Sequence, residues 1–334
     1  MNSFGRIFRL SIFGESHGPS VGITIDGCPA GLPLTVADFD VDIERRKGGM
    51  QKGTTPRKEA DAPIFLSGVF NDKTTGAPLT IIFENNNTRS ADYERQRSIP
   101  RPGHADFVAD KKFGGYEDYR GGGHFSGRLT VCLVAAGVVA KKILASREKI
   151  RCNATILEVG GEKNIEAGLQ KAIDAKDSVG GIIECRVTGL PIGLGEPFFD
   201  SVESVISHAV FSIPAIKGIE FGAGFAAARM KGSDHNDALE NETGKTVTNN
   251  AGGIVGGLSN ANELIFRVAV KPTSSTPKEQ YSLNIESGAM EDFSVKGRHD
   301  LCIALRVPVV LEAVTAFVLA DMLMLEQTGR ILNG

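Results

Sequence analysis

Four histidines lie in or beside loops that contain glycine, and histidine is the side chain that exchanges protons near neutral pH. His17 lies in the string GESHG, His104 in RPGHAD, His124 in RGGGHFSGR and His299 in KGRHD. One such histidine is most often a surface or capping residue. Four of them in one chain favour a shared site for proton transfer.

Positively charged residues gather in the same loops. Arginine presents a planar fork that binds carboxylate or phosphate through two hydrogen bonds, so several arginines together indicate a ligand with more than one acidic group. Another set of cations, around the string ERRKGG, ends a predicted helix, where the helix dipole alone would favour each cation by about 0.3–1 kcal/mol. The loop cations are Arg101, Arg120, Arg128, Lys271 and Arg298.

Two segments have the composition of an anion-binding loop. Residues 121–128 lead straight into an apolar helix, so their backbone N–H groups would face an anion in front of that helix. Residues 271–275 close a predicted strand with one cation and three hydroxyl groups, which suits phosphate but is also common in ordinary loops. The residues alone therefore indicate an enzyme with a multiply anionic ligand, and they leave its reaction open.

Common nucleotide-binding and zinc-binding motifs are incomplete or absent in this sequence, so they indicate no function. Residues 243–246 read TGKT, like the end of a P-loop, but the first glycine of that motif would fall at Leu239. No Gly-x-Gly-x-x-Gly string follows the first predicted strand, so a dinucleotide fold is unsupported. The zinc-protease string His-Glu-x-x-His is absent from the sequence as well, and no metal is predicted.

Composition narrows the class of protein. The chain has 334 residues, of which 41% are hydrophobic, so it can bury a large core as one large domain or two fused ones. A net charge of -3 and a pI of about 6.1 argue against a nucleic-acid partner.

Five cysteines without Cys-x-x-Cys spacing favour reduced thiols in the cytoplasm. The N-terminus lacks an apolar signal core, and the longest apolar run, residues 129–140, is too short to span a membrane.

The elements that must position these loops alternate between strands and helices. Thr35 and Asp38 have the spacing of a capping box, and Pro308 suits the first turn of a helix. Predicted strands cover residues 7–13, 21–26, 64–70, 79–84, 154–159, 181–187 and 264–270. Predicted helices cover residues 36–47, 105–113, 126–144, 164–175, 201–211 and 308–326, while residues 272–300 read as a polar loop. Helices interleaved with strand pairs indicate an α+β or layered α/β fold.

Nine short strings run through nearly the whole chain: FGESHG, ERRKGG, RPGHAD, YRGGGHFSGR, GLGEP, SIPAIKGIEFG, AGGIVGG, KPTSS and KGRHD. Each string alone is unspecific, but together and in this order they resemble the chorismate synthase family. The resemblance implies an α+β fold, a β-α-β sandwich with helices packed between antiparallel sheets. It also implies one domain over residues 1–334 and a homotetramer.

The resemblance further implies a trans-1,4-elimination that converts 5-enolpyruvylshikimate-3-phosphate into chorismate and phosphate. It implies reduced FMN as cofactor, although the reaction is redox-neutral. Transient electron donation from the reduced flavin would assist cleavage of the C–O bond, while the protein supplies orientation and charge. NADPH is the implied reductant, acting either on this protein or through a separate flavin reductase.

The family roles transfer to this chain position by position. His17 matches the histidine taken to protonate the departing phosphate, and His104 matches the one thought to protonate the reduced flavin. Asp300 matches an aspartate proposed to help remove the ring proton. The positions that match substrate contacts are Arg46, Lys52, Arg101 and Arg128. The positions that match FMN contacts are His124, Ser126, Ala215, Gly256, Lys271, Pro272, Thr273, Ser274, Ser275 and Arg298.

Two positions depart from the commoner family pattern. His124 and Lys52 stand where many members have arginine, so the charge of the first would depend on pH and the second lacks the fork. An alternative function is a non-catalytic protein that binds flavin or a phosphometabolite on the same scaffold. Intact His17, His104 and Asp300 favour the enzyme, because a pure binding protein needs none of them.

Overall fold

Two antiparallel sheets enclose two long apolar helices in the computed structural model. It describes residues 2–49, 52–54, 60–86, 97–147, 149–295 and 299–326. The helix Thr130–Arg147 packs on the first sheet, Val307–Glu326 packs on the second, and the two helices pack on each other. This arrangement confirms the predicted α+β sandwich. The single domain over residues 1–334 stays a prediction.

The first sheet has five antiparallel strands in the order β1-β2-β3-β7-β4. Alternation along β3 buries Val21, Ile23 and Ile25 completely, and Ile23 pairs with Ile81 on β7, because successive side chains of a strand point to opposite faces. The predicted strand 64–70 is broken at Gly68, whose φ is 86°. The strands are β1 (Ser3–Phe4), β2 (Arg9–Gly14), β3 (Ser20–Asp26), β4 (Ile64–Ser67), β5 (Val69–Phe70), β6 (Lys73–Thr74) and β7 (Leu79–Glu84).

The second sheet has four antiparallel strands in the order β10-β13-β9-β8. Its inner face carries fully buried side chains such as Ile183, Cys185 and Phe266. The strands of this half are β8 (Arg151–Val159), β9 (Gly181–Thr188), β10 (Ile216–Phe221), β11 (Ile254–Val255), β12 (Leu258–Ser259), β13 (Leu264–Val270), β14 (Gln280–Leu283) and β15 (Met290–Phe293). The sequence predicted neither β10 nor the hairpin β14–β15, which interrupts the stretch 272–300 read as a loop.

Seven helices connect and fill these sheets in the described part of the chain. They are α1 (Asp40–Arg46), α2 (Asp106–Phe113), α3 (Thr130–Arg147), α4 (Ile165–Ala175), α5 (Val202–Val210), α6 (Gly232–His235) and α7 (Val307–Glu326). The predicted helix 36–47 divides into a 3-10 turn, Val36–Phe39, and α1. Its predicted cap is present, because Asp38 Oδ2 accepts the Thr35 N–H at 2.7 Å.

The two central helices are mostly apolar, and the two sheets cover them. Glycine lets them approach closely: a Cβ added to Gly137 on α3 would lie 2.2 Å from the Cβ of Ala313 on α7. By length and composition alone, the segments Arg120–Arg147 and Ile303–Glu326 could cross a bilayer. Core helices of soluble proteins meet the same criterion, and most of both segments is buried inside the fold.

One carboxylate joins the beginning of the chain to its last described helix. Asp321 of α7 is 4% exposed and accepts backbone N–H groups from Arg6, Ile7 and Phe8, at 2.7 to 3.1 Å. These three N–H groups precede β2, so the carboxylate satisfies donors that no strand partner reaches. The first sheet is thereby fixed to the helix layer.

All five cysteines are free, and four of them are buried. Burial raises the pKa of the Cys132 thiol to about 12 and that of Cys28 to about 11. These side chains therefore behave as apolar filling of the core and stay protonated at neutral pH.

Candidate active site

One cavity of about 680 Å³ opens at the N-terminal turns of α3 and α7. Thirteen of the seventeen predicted site residues line it, although they come from segments far apart in the chain. They are Arg46, Arg101, His104, His124, Ser126, Arg128, Ala215, Lys271, Pro272, Thr273, Ser274, Ser275 and Asp300. The helix N-termini add partial positive charge to the guanidinium and ammonium groups, so the cavity suits an anionic ligand.

Arg101, His104 and Asp106 form a compact cluster before and within the first turn of α2. Asp106 binds both sides of the Arg101 guanidinium, at 2.7 Å from Nε and 2.8 Å from Nη2. The same carboxylate lies 2.5 Å from His104 Nδ1. Burial alone would raise the pKa of Asp106, but the hydrogen bonds from Arg101 and His104 hold it well below its usual range. Asp106 therefore stays ionised and fixes the His104 ring.

Arg46 and Arg128 share a single buried carboxylate that the sequence analysis did not select, Asp61. Asp61 Oδ2 lies 3.1 Å from Arg46 Nη1, and Oδ1 pairs with Arg128 Nη1. Burial, together with neighbouring Arg306, lowers the pKa of Arg46 to about 9, against the opposing effect of Asp61. The guanidinium thus remains charged at neutral pH.

Asp300 forms an ion pair with Arg306, a second residue that the sequence analysis missed. Arg306 Nη1 donates to Asp300 Oδ2 at 2.9 Å, and its Nε donates to the backbone carbonyl of Arg46 at 2.7 Å. Arg306 therefore ties the predicted proton acceptor to the end of α1. The sequence does contain a signal for Arg306, which is the single cation in the apolar run LCIALRVPVV. A cation in such a run requires an anion or a hydrogen-bond acceptor as its partner.

Three consecutive glycines, Gly121, Gly122 and Gly123, shape the wall next to the histidines, and all three have positive φ. A Cβ at Gly121 would lie 2.5 Å from His17 Cδ2, and one at Gly122 would lie 3.0 Å from His104 Cε1. These glycines allow both rings to approach the backbone. The predicted helix 126–144 follows them and begins as a 3-10 turn, Gly127–Leu129, before α3.

The loop after β13 fits the phosphate of a cofactor such as FMN. Lys271 Nζ donates to Gly103 O at 2.9 Å and to Ser274 Oγ at 2.8 Å, and this binds the loop to the RPGHAD segment. Burial, and then Lys217, lower the pKa of Lys271. Thr273 Oγ1 is buried and has no hydrogen-bond partner among the described residues. A cation beside an unused hydroxyl suits a bound anion.

His124 and Ser126 line the cavity but already hold structural hydrogen bonds. The Nδ1–H of His124 donates to the carbonyl of Gly14 at 2.8 Å. Ser126 Oγ accepts the backbone N–H of Arg128 at 3.3 Å and so caps the turn before α3. Both side chains are thus fixed in orientation before any ligand binds.

Three predicted site residues lie outside the lining of this cavity. His17 is 7% exposed and packs behind Gly121. Lys52 is exposed and donates to Gln170 Oε1 on α4 at 2.6 Å. Gly256 lies in the turn between β11 and β12, with a φ of 62°. Arg298 lies outside the described residues. Their assigned roles stay predictions.

Comparison with known proteins gives one consistent result. A family model for chorismate synthase matches residues 8–324. The chorismate synthase of Chitinophaga pinensis is 73% identical over 327 residues, covering 98% of this chain and 98% of that protein. That of Korarchaeum cryptofilum is 44% identical over 357 residues, covering 98% of this chain and 99% of that protein. A crystal structure of a chorismate synthase superposes with a TM-score of 0.76 at 25% identity, covering 98% of this chain and 94% of that one.

The α+β fold, the cationic cavity and these relatives together place the chain among lyases that act on a small molecule. The chain belongs to the chorismate synthase family. The resemblance inferred from nine short strings is therefore confirmed across the chain.

Proposed function

We propose that this protein converts 5-enolpyruvylshikimate-3-phosphate into chorismate and phosphate by a trans-1,4-elimination that requires reduced FMN. In this reaction a ring C–H bond loses its proton and its electron pair forms a new double bond. The existing ring double bond shifts by one position, and phosphate leaves with the electron pair of the broken C–O bond. The observation that carries the proposal is the convergence of cations from four separate segments on one cavity: Arg46, Arg101, Arg128 and Lys271. A substrate with two carboxylates and a phosphate needs such a site.

The FMN requirement is supported by the loop that follows β13. Lys271, with Thr273 to Ser275, offers a cation and hydroxyl groups for the cofactor phosphate, and Ala215 and Ser126 line the same cavity. When bound, reduced FMN would supply transient electron density for C–O cleavage. We assign the remaining FMN contacts, Gly256 and Arg298, from the family resemblance.

Three side chains of this chain would handle protons. His104, held by Asp106 and Arg101, lies at the cavity wall where a cofactor nitrogen would be protonated. Asp300 lines the cavity, and its ion pair with Arg306 fixes the carboxylate that would accept the ring proton. His17 packs against Gly121, beside the cavity lining, and we assign it from the family resemblance as the acid that would protonate the departing phosphate.

The proposal is tested under anaerobic conditions with the substrate and dithionite-reduced FMN. Release of phosphate together with chorismate is expected from the wild-type protein. His17→Ala should retain FMN affinity while turnover falls by about 10²–10⁴, the usual range for loss of a general acid. A folded protein that binds FMN but releases neither product would contradict the proposal and would favour a non-catalytic binding protein.

We further propose a homotetramer in the cytoplasm that does not bind nucleic acid or span a membrane. Exposed aromatic side chains support an assembly, since Phe198, Phe199 and Phe225 are 85%, 93% and 79% exposed in the single chain. Light scattering of the purified protein would test the tetramer. Oxidation of NADPH with FMN alone would show whether the protein reduces its own flavin or depends on a separate flavin reductase.

A further inference from the structure

Asp61 occupies the position between two arginines where a ligand anion would bind. Its two carboxylate oxygens contact Nη1 of Arg46 and Nη1 of Arg128, one oxygen to each guanidinium. The three side chains are only 1% to 5% exposed, yet all three residues line the cavity. Two positive charges and one negative charge leave the group with a net charge of +1.

Several acceptors besides Asp61 fix the two arginines, and most of them lie on helices or strands. Arg46 also donates to Thr130 Oγ1 at 2.9 Å and to the carbonyls of Gly127 and Arg128, at 3.2 and 3.0 Å. Arg128 also donates to Asn85 Oδ1 at 3.0 Å and to Glu84 O at 3.1 Å. These bonds hold both guanidinium groups in place whether or not Asp61 is present.

Asp61, by contrast, lies before β4 on a segment without helix or strand, and its φ of 50° lies in the left-handed region. For a residue other than glycine that backbone conformation is unfavourable. The ion pairs with the arginines offset this strain. The two cations lie on helical elements, while the carboxylate lies on a segment that belongs to no helix or strand.

We propose that Asp61 is a specificity-determining residue: its carboxylate occupies the Arg46–Arg128 anion position, and an anionic group of the substrate replaces it there. The inference rests on the proposed function, which assigns both arginines to the substrate. Two buried guanidinium groups without an anion are unfavourable, so Asp61 leaves only as another anion arrives. A ligand without a carboxylate or phosphate at this position cannot make the exchange.

Asp61→Asn tests the exchange with inorganic phosphate as the probe. The variant keeps the side-chain shape but raises the net charge of the trio from +1 to +2. We expect phosphate to bind about tenfold more tightly than to the wild-type protein, as measured by titration calorimetry. Asp26→Asn is the matched control, because it removes the same charge from an exposed carboxylate paired with Arg9 and should leave the phosphate affinity unchanged.

A folded Asp61→Asn protein whose phosphate affinity is unchanged or weaker would overturn the inference. If that variant does not fold, a crystal structure of the wild-type protein with phosphate decides. Phosphate between Arg46 and Arg128, with Asp61 displaced, supports the exchange, whereas phosphate elsewhere with the Asp61 contacts intact refutes it. Neither readout needs turnover, so failure of the anion exchange and failure of the proposed function are measured separately.

Discussion

Glu312 on α7 binds both terminal nitrogens of Arg45 on α1, each at 2.7 Å. The side chain of the next residue, Arg46, lines the cavity instead. It points to a different side of α1 because consecutive side chains of a helix lie about 100° apart. Arg45 therefore joins two helices and Arg46 belongs to the candidate active site. The two arginines in the string ERRKGG thus have different roles, one in helix packing and one in the candidate site.

Glu312→Gln should lower the free energy of unfolding by about 1.5–3 kcal/mol, because hydrogen bonds to charged groups are lost in a buried network. Glu312 is 2% exposed and also accepts Lys141 Nζ at 3.1 Å and the Ala154 N–H at 3.0 Å. Urea unfolding measures the loss. Glu162→Gln, in an exposed pair with Lys171, is the control and should cost less than about 1 kcal/mol. Equal losses in both variants would contradict the assignment.

Acid should destabilise the protein through the same carboxylate. Burial alone would raise the pKa of Glu312, but Arg45 and Lys141 hold it below its usual 4.5. A carboxyl group with a lowered folded-state pKa contributes full stability above its unfolded pKa, and the contribution is lost as the pH falls below it. Urea midpoints measured downward from about pH 4.5 should fall more steeply for the wild-type protein than for Glu312→Gln. Parallel curves would argue against this linkage.

Gly137→Ala should destabilise the helix layer by about 1–3 kcal/mol, the usual cost of overpacking. The added methyl group would lie 2.2 Å from Ala313 Cβ and 2.4 Å from Ala313 Cα. Adding Ala313→Gly should therefore restore only a small part of the loss, as measured by thermal unfolding, because the contact with the Cα remains. Gly232→Ala is the control, since nothing lies within 4 Å of its new Cβ. A complete rescue would show that the clash is with the Ala313 methyl group alone.

Gly121→Ala should reduce turnover by at least about tenfold, because the new methyl group would push the His17 ring away from the glycine wall. Its φ of 62° also imposes a backbone cost of roughly 1 kcal/mol on any other residue. Gly288→Ala separates the two effects, since its φ is 70° but nothing lies within 4 Å of its Cβ. That control should lose similar stability and keep full turnover. If both variants stay fully active, His17 does not act from this position.

Arg306→Lys should lower kcat while leaving KM for the substrate nearly unchanged. Lysine keeps the charge but cannot donate to both Asp300 and the Arg46 carbonyl, so the proposed proton acceptor loses its fixed orientation. Steady-state kinetics with reduced FMN would measure kcat and KM separately. A matching surface change, Arg9→Lys, removes only an exposed ion pair and should alter neither constant. A rise in KM alone would assign Arg306 to substrate binding instead.

The loops that carry histidine and arginine could be predicted from sequence, because glycine and proline mark them clearly. Asp61 could not: it lies in the string KEADAPIF, with no glycine or histidine beside it, and only the fold brings it between Arg46 and Arg128. Strand β10 was missed because IKGIEF contains a glycine and two charged residues, which weaken any strand pattern. There the pairing with β13 decides the structure, and local preference does not.

The contact between Asp321 and residues 6–8 joins parts of the polypeptide more than 300 positions apart. During translation the N-terminal segment leaves the ribosome long before its carboxylate partner has been synthesised. Its amide groups must then stay bound to water, or be held by a chaperone, until α7 emerges. The segment before β2 consequently acquires these hydrogen bonds only after α7 has been synthesised, and a nascent chain stalled before residue 321 would leave the three amide groups without their carboxylate.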